Sequence, residues 1–502
     1  MFSRAGRIVS PYRLLLPLCF GVFIAADDMT VVVTLLPDMM ADLRVGVSEL
    51  DRASWSITGF LIGFTAAMPL MGRISDRAGY RLAFLAALGV FTLGSALVAM
   101  SPQIPGWLFG GPPEFNWLVG MRVFQAIGGG AIIPISIAAV NELVDGRHRA
   151  IAYGLIGASA EAGGVFGPLW GGGITTWLSW EWAFWLNIPV TAVAALWIMR
   201  NPPGRRNSNV RVDVPAGIVF AAALALLTVG LVRIGEPDAL MAISLAVTAV
   251  LVVLLVLMNT RSADALFPRP LFHLVSFNFA NVTHFLVGAV LIIGMVTVPL
   301  MAATVFGMTP IEGGLQLLRM TVAIGAAAVA GGIITQRIGP RVPVLVGLLV
   351  TSVGFLLMSR WAVDVAEPTL TAHLLLTGLG LGLLVSPIAE TALFKVADDQ
   401  RGAASALITV SRMVGMTAGL AAMTALGTVQ FQQLVADVPA FSLDPVVQEQ
   451  IVESAQNAAM DVFTRFYQYA AALSALALIP AYLMTRRMGF TLAVSFGGRR
   501  LG

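Results

Sequence analysis

A chain of 502 residues that is 58% hydrophobic and only 11% charged is not a water-soluble domain, since soluble proteins carry about a quarter charged residues. Its formal charge of +3 is small for the length, and the basic residues follow a membrane topology, so no nucleic-acid partner is expected. The single cysteine, Cys19, excludes a disulfide framework or a Cys-based metal site within one chain, and neither metal nor cofactor is expected.

Apolar runs of about 20 residues match a hydrocarbon core of roughly 30 Å. In chain order they predict fourteen spanning helices, at about 14–37, 53–71, 82–100, 117–140, 150–176, 183–199, 214–233, 239–258, 275–305, 311–334, 342–359, 370–394, 402–428 and 466–485. The first run follows Arg4, Arg7 and Arg13 and continues to about Leu36 without a small-residue cleavage site, so it is expected to stay as the first span. With the N-terminus inside, most of the 30 basic residues fall in inner loops. Only Arg44, Arg52, Arg233, Arg360 and Arg465 fall outside, and Arg122, Arg319 and Arg412 lie within spans. The bias predicts a multi-pass membrane protein with both termini cytoplasmic. Trp55, Trp117, Trp177 and Trp361 fall near predicted outer ends, as interfacial aromatics do.

The halves are related. "GRISDRAGYR" (Gly72 to Arg81) and "GIITQRIGPR" (Gly332 to Arg341) share Gly, Arg, Gly and Arg at the same offsets, each in an inner loop after an inward-running helix. Weak repeats of this kind belong to secondary transporters whose bundles rock about a midplane site. The segment "RNPPGRRNSNVRVDVPAG" reads as a linker after six spans. The expected organisation is therefore a six-helix bundle over 1–200, a linker and inserted helix pair over 201–270, and a second six-helix bundle over 271–502. The last of these includes an extended outer segment at about 430–465, in which Asp444 and Pro445 mark a helix start.

The stretch "GASAEAGGVFGPLWGGG" (Gly157 to Gly173) sets Glu161 among glycines with no basic neighbour. A charged residue within a span costs about 2.5–3.5 kcal/mol on insertion scales and usually faces a cavity. The glycines Gly163, Gly164, Gly167 and Gly171 admit a closely packed neighbouring helix, and Pro168 bends the segment. Such a seam suits a moving interface; plain tight packing is the competing account of any one glycine.

Five motifs in order resemble the major facilitator superfamily, in its fourteen-helix drug:proton antiporter branch. "ADDMTVVVTLLP" resembles the first-helix Asp-x-Thr motif through Asp28 and Thr30, with Asp27 extra. "GRISDRAGYR" resembles the loop motif after the second helix, with Tyr80 where a second basic residue is usual. "MRVFQAIGGGAIIP" resembles the fourth-helix motif that carries a membrane arginine, here Arg122. "GGVFGPLWGGG" resembles the fifth-helix antiporter motif, and "WEWAFWLNIPV" the opening of the sixth helix. "SRWAVDV", "GLGLGLLVSPI" and "VSRMVGMTAG" are further similar to mycobacterial exporters of triacylglycerides and drugs that work with a periplasmic lipoprotein. The resemblance implies an all-α membrane protein of the major facilitator fold, with two pseudo-symmetric six-helix bundles and an inserted helix pair. It implies proton-driven export, with a lipid or lipophilic drug as substrate, a periplasmic lipid-carrier lipoprotein as partner, and a monomeric chain.

Glu161 lies 12 residues after Arg149, and Arg412 lies 11 after Arg401. Each therefore sits about 17 Å along its helix, at similar depth. Glu161, Asp28 and Arg412 are expected to line the central cavity and to interact in at least one state, with Arg122 tuning a carboxylate without itself carrying a proton. A static salt bridge is the alternative. Gly72, Asp76, Arg77, Gly79 and Arg81 are read as a conformational switch loop, against a merely structural turn. Arg319 either snorkels to the interface or contacts the substrate or a lipid head group. Asp27, Thr30 and His284 are candidate substrate contacts; for His284, with Asn278 and Asn281, a polar patch between helices is the other reading.

No enzyme is expected. The only lysine, Lys395, lies in "FKVA", which excludes a Walker A loop, and no HExxH or GxSxG occurs. Export of membrane lipids such as triacylglycerides by alternating access is the leading reading, and polyspecific multidrug:proton antiport the alternative.

Overall fold

The computed structural model describes residues 11–43, 45, 50–103, 113–144, 149–202, 204, 213–235, 237–261, 266–267, 269–396, 401–436 and 445–486. They are almost entirely helical. In chain order the helices are α1 (Pro11–Asp42), α2 (Leu50–Ala78), α3 (Tyr80–Ala99), α4 (Pro113–Leu143), α5 (Arg149–Trp177), α6 (Trp182–Trp185), α7 (Asn187–Ile198), α8 (Val214–Val232) and α9 (Ala239–Arg261). There follow α10 (Arg269–Phe272), α11 (Val275–Thr304), α12 (Pro310–Ile338), α13 (Arg341–Met358), α14 (Glu367–Leu393), α15 (Arg401–Leu434), α16 (Pro445–Leu476) and α17 (Leu478–Thr485).

Among the described residues, 12 helices are long and apolar enough to cross a membrane. The fourteen predicted spans thus exceed what length and apolarity single out. The spans predicted at 150–176 and 183–199 correspond to α5, of 29 residues, and to a shorter apolar helix over Trp182–Ile198. The latter is divided at Leu186 into α6 and α7, just before Pro189, which has no amide hydrogen to donate.

The chain divides into two compact units. The first comprises Met1–Phe267, Val296–Leu318 and Thr417–Ala459; the second comprises Pro268–Met295, Arg319–Met416 and Met460–Gly502. Within the first, α1 packs on α5, α2 and α3 on α4, and α8 on both α9 and α2. The expected inserted pair, α8 and α9, therefore lies with the first helices. Asp213 caps α8 by accepting from the amide of Ala216, with Pro215 in the first turn. Within the second unit, α13 packs on α14 and α17. A core of Val344, Leu348, Leu384, Ile388, Ile408 and Met484 joins these helices to α11 and α15.

The internal repeat is reproduced in backbone detail. Gly79 and Gly339, at the same offset in the two decapeptides, adopt φ of 86° and 83°, a region that L side chains rarely enter. Each amide donates to a carbonyl four residues back, Ser75 or Thr335, at 2.8 Å. One glycine thus ends α2 and the other ends α12, and in both halves the next helix starts at once.

Helices α15 and α16 have 34 and 32 residues. At about 1.5 Å per residue each exceeds the roughly 30 Å of a hydrocarbon core. Pro445 opens α16, where the sequence places a helix start; Asp444 itself lies outside the described residues.

Candidate functional site: a buried ion pair and a glycine seam

Asp28 on α1 and Arg122 on α4 are both fully buried and meet at 2.6 Å, Arg122 Nη1 to Asp28 Oδ2. A buried charge pair is tolerated only when the remaining donors and acceptors are also matched, and here they are. Arg122 Nη1 also donates to Gln125 Oε1 at 2.6 Å. Gln125 Nε2 and Asn187 Nδ2 donate to Asp28 Oδ1 at 2.9 and 2.7 Å, and Gln125 Nε2 reaches Ser95 Oγ at 2.7 Å. The guanidinium lies over the ring of Phe60 at 4.1 Å and near that of Phe184 at 5.4 Å. Stacking of this kind contributes about 2 kcal/mol when the cation is desolvated.

Helix packing sets these positions. Gly94 of α3 lies so close to α4 that an added Cβ would stand 2.5 Å from the Cα of Gln125. The backbones of α3 and α4 therefore meet at the residue that bridges arginine to aspartate. Gln125 is one helical turn from Arg122, which puts both on one face. Asn187 opens α7, whose Thr191 is joined to α3 by a 2.7 Å hydrogen bond with Thr92.

The glycines of α5 meet α1. An added Cβ at Gly163 would strike the carbonyl of Phe23. At Gly167 it would strike Thr30 Oγ1 and at Gly171 Thr34 Oγ1. The expected seam is thus a contact of α5 with α1, the helix that carries Asp27 and Asp28. Gly164 stands slightly aside, 3.9 Å from a Thr30 methyl. The Thr30 hydroxyl donates to the carbonyls of Ala26 and Asp27 of its own helix at 3.3 and 3.1 Å, so the candidate substrate contact is engaged locally. Asp27 is half-buried. Glu161 and Pro168 lie on α5, but their side chains fall outside the described residues, as does that of Asp76 on α2.

In the switch loop, Arg77 is exposed at the end of α2, and Gly72 faces only Pro134, at 3.9 Å. Arg81 Nη1 donates to the carbonyl of Asn201 and Tyr80 Oη to that of Pro202, both at 2.8 Å. A Cβ at Gly79 would meet the carbonyl of Gly204 at 2.9 Å. The loop therefore holds the chain that leaves α7, with the tyrosine that replaces the usual basic residue supplying one of the ties.

The second unit contains a corresponding close contact between α11 and α15. A Cβ at Gly288 would strike the Arg412 carbonyl, and one at Gly415 the Phe285 carbonyl. His284 is buried and donates from Nδ1 to the carbonyl of Ile408 at 2.9 Å. Ser411 bonds Asn281 at 2.5 Å. These bonds tie α11 to α15. Asn278 donates to the Phe272 carbonyl at 2.7 Å. Arg412 is half-buried on α15.

Arg319, on α12, is held by residues of α14. It forms a two-pronged pair with Glu367, at 2.9 and 3.0 Å, and donates to Thr371 at 2.7 Å. The side chains are 30% and 54% exposed, so solvent screens the attraction. Arg319→Gln is expected to shift stability by under about 1 kcal/mol, checked by a thermal melt in detergent; a larger loss would show that the pair anchors α12 to α14.

Sequence reasoning missed Gln125, Asn187, Ser95 and the Phe60 and Phe184 rings. The signal available for Gln125 was its spacing from Arg122; the others come from four different helices and leave no local pattern.

A set of apolar helices enclosing a buried charge pair, with glycines where helices meet closely, is the build of a multi-pass membrane protein. The sequence profile of the Major Facilitator Superfamily matches residues 18–420, and the chain belongs to that family. It is 35% identical over 457 residues to a protein of Mycobacterium leprae named as a probable triacylglyceride transporter, covering 87% of each chain. It is 34% identical over 444 residues to a triacylglyceride transporter of Mycolicibacterium smegmatis, covering 84% of this chain and 76% of that one. Among solved structures it resembles a D-xylose-proton symporter, with a TM-score of 0.63 and 14% identity over 92% of this chain and 97% of that one. It also resembles a bacterial homolog of the human lysosomal transporter Spinster, with a TM-score of 0.62 and 14% identity over 95% of this chain and 98% of that one. The chain is therefore a transporter and not an enzyme.

Proposed function

We propose that this transporter exports hydrophobic or amphipathic molecules, membrane lipids such as triacylglycerides first, by proton-coupled alternating access. The observation that carries the reading is the buried Asp28–Arg122 pair at 2.6 Å. Ionisable groups inside a membrane domain are costly and serve ion or substrate movement. The names of relatives at 34–35% identity supply the lipid class. In this reading Asp28, Arg122, Glu161 and Arg412 carry proton coupling around a central cavity. The glycines at 163, 164, 167 and 171 with Pro168 form the moving seam, and Gly72, Asp76, Arg77, Gly79 and Arg81 form the switch loop. Asp27, Thr30, His284 and Arg319 complete the set as secondary contacts.

The topology proposed with it has fourteen spans, two six-helix bundles with α8 and α9 as the inserted pair, and both termini in the cytoplasm of a bacterial inner membrane. The basic residues of the inner loops support that orientation. The chain works as a monomer that passes its lipid to a periplasmic carrier lipoprotein, toward which the long α15 and α16 extend.

The second reading, polyspecific multidrug:proton antiport, is favoured by a run of aromatic rings on α1 and α5. Phe23 and Phe166 lie 5.8 Å apart, and Phe166 and Trp170 are stacked at 6.2 Å. Flat lipophilic cations suit such a surface.

The test is transfer of a fluorescent triacylglyceride and, in parallel, ethidium in proteoliposomes under an imposed pH gradient. Glu161→Gln is expected to abolish gradient-driven lipid transfer. Unchanged transfer in that variant would remove Glu161 from the coupling, and ethidium movement alone would make drug antiport the better reading.

A further inference from the structure

Two adjacent carboxylates on α1 are in opposite situations. Both oxygens of Asp28 are taken by donors that cannot act as acceptors: Arg122 on Oδ2, and the amides of Gln125 and Asn187 on Oδ1. Three of about four acceptor sites on this carboxylate are thus filled, one by a guanidinium, and a proton on Asp28 would weaken the charge-assisted bond that holds α1 to α4. Asp27 presents its neighbour's opposite. Its Oδ1 is buried, and among the described residues no hydrogen-bond donor reaches it. A buried polar atom left without a partner marks either strain or a role in function.

Its surroundings fit exchange rather than storage. The carbonyl of Asp27 faces Gly167 of α5, where an added Cβ would approach to 2.7 Å, and its amide faces Gly163 at 2.9 Å. Asp27 thus sits on the glycine seam. Phe23, one turn earlier on α1, packs its ring on Phe166 of α5. Charged neighbours are few. On α1 there is Asp28; α4 brings Arg122, already bound to Asp28. α7 carries no charged residue; α2 carries Asp51, Arg52, Arg73, Asp76 and Arg77, and α4 carries Glu114 and Glu142, toward their ends. The acid on α5 is Glu161, with its side chain outside the described residues.

We propose that Asp27, and not the motif aspartate Asp28, is the carboxyl of α1 that exchanges a proton during transport, Asp28 serving as the fixed acceptor that holds α1, α4 and α7 together. In each cycle an O–H bond forms between Asp27 and a proton delivered by water from one side. When the seam rearranges, that bond breaks and the proton passes to water on the other side, leaving the carboxylate as before. This rests on the proton-coupled reading above and revises one part of it: the exchanging proton moves from Asp28 to Asp27, and Asp28 stays in the coupling group as its fixed ion-pair partner to Arg122.

The experiment uses the full-length protein in proteoliposomes and a second, transport-independent readout. Infrared difference spectra of the reconstituted protein, recorded across a pH titration, report protonated carboxyl groups directly. The wild type is expected to show a titrating carboxyl band that disappears in Asp27→Asn, persists in Asp28→Asn, and returns shifted in Asp27→Glu. In parallel, Asp27→Asn is expected to lose at least tenfold in gradient-driven flux while keeping gradient-independent exchange of substrate, with Asp27→Glu restoring part of the driven flux. Loss of the band in Asp28→Asn but not in Asp27→Asn would overturn the assignment, as would normal gradient-driven flux in Asp27→Asn. If wild-type flux ignores the gradient, the proton-coupled reading itself fails, and the infrared titration still decides which aspartate binds a proton.

Discussion

Arg122→Leu is expected to destabilise the protein by about 3–5 kcal/mol, the range for removing one partner of a buried ion pair, and to abolish transport. The guanidinium supplies the donor on Asp28 Oδ2, a donor to Gln125, and the cation between the Phe60 and Phe184 rings. Without it a carboxylate is left in an apolar interior with two amide donors and no counter-charge. Most of the loss is the penalty of that stranded charge rather than the net worth of the pair. The double variant Asp28→Leu with Arg122→Leu should therefore be more stable than Arg122→Leu alone while remaining inactive. Thermal melts in detergent and flux in proteoliposomes give the two readouts. A single variant as stable as wild type would mean that water or another cation replaces the guanidinium. Arg122→Lys is expected to fall between, because an ammonium keeps the charge but cannot match the planar fork that meets Asp28, Gln125 and the Phe60 ring together.

Gly167→Val is expected to be the second large effect, with overpacking of about 1–3 kcal/mol or more and a loss of transport beyond what stability explains. A Cβ there would strike the Thr30 hydroxyl and stand 2.7 Å and 2.9 Å from the backbone of Asp27 and Val31. Two of these obstacles are main chain of α1, which cannot swing aside as a side-chain tip can. The displacement would push α5 off α1 along the whole seam. Gly157→Ala, on the same helix and with nothing within 4 Å of the added atom, serves as the control and should match wild type within about 0.5 kcal/mol, with a slight gain from the better helix propensity of alanine. Equal behaviour of the two variants in melts and flux would show that the close approach at Gly167 relaxes freely.

The lipid-facing character of the chain was legible because each run of apolar residues is a local signal whose length is fixed by bilayer thickness. The repeat was legible for the same reason: Gly79 and Gly339 must be glycine to adopt φ above 80°, so the requirement is written at both positions of the sequence. Arg122 and Asp28 were legible singly, since a charge within a span is conspicuous at any position. What could not be read was which charges meet. The sequence reading matched Glu161 with Arg412 on grounds of depth and gave Arg122 a carboxylate to tune without saying which; the structure puts Arg122 on Asp28. Depth along a helix axis says nothing about rotation around it, and rotation decides which face a side chain occupies. Arg319 teaches the same point: its position near a helix end suggested solvent, substrate or lipid, and its contact with Glu367, 48 residues away, leaves no local signal.

Sequence by itself determined the class of protein, the helices, the glycines that punctuate them and the identity of the intramembrane charges, because helix formation and membrane burial depend on residues close in the chain. Tertiary structure alone decided that Gln125, Asn187 and Ser95 complete the Asp28–Arg122 network, that the α5 glycines close on α1, and that Asp27 Oδ1 meets no donor among the described residues while both oxygens of Asp28 accept hydrogen bonds. The physical reason is that hydrogen bonds form over about 3 Å and in fixed directions, so satisfaction of a buried polar group depends on how separate helices are rotated and packed, and no stretch of one helix encodes that.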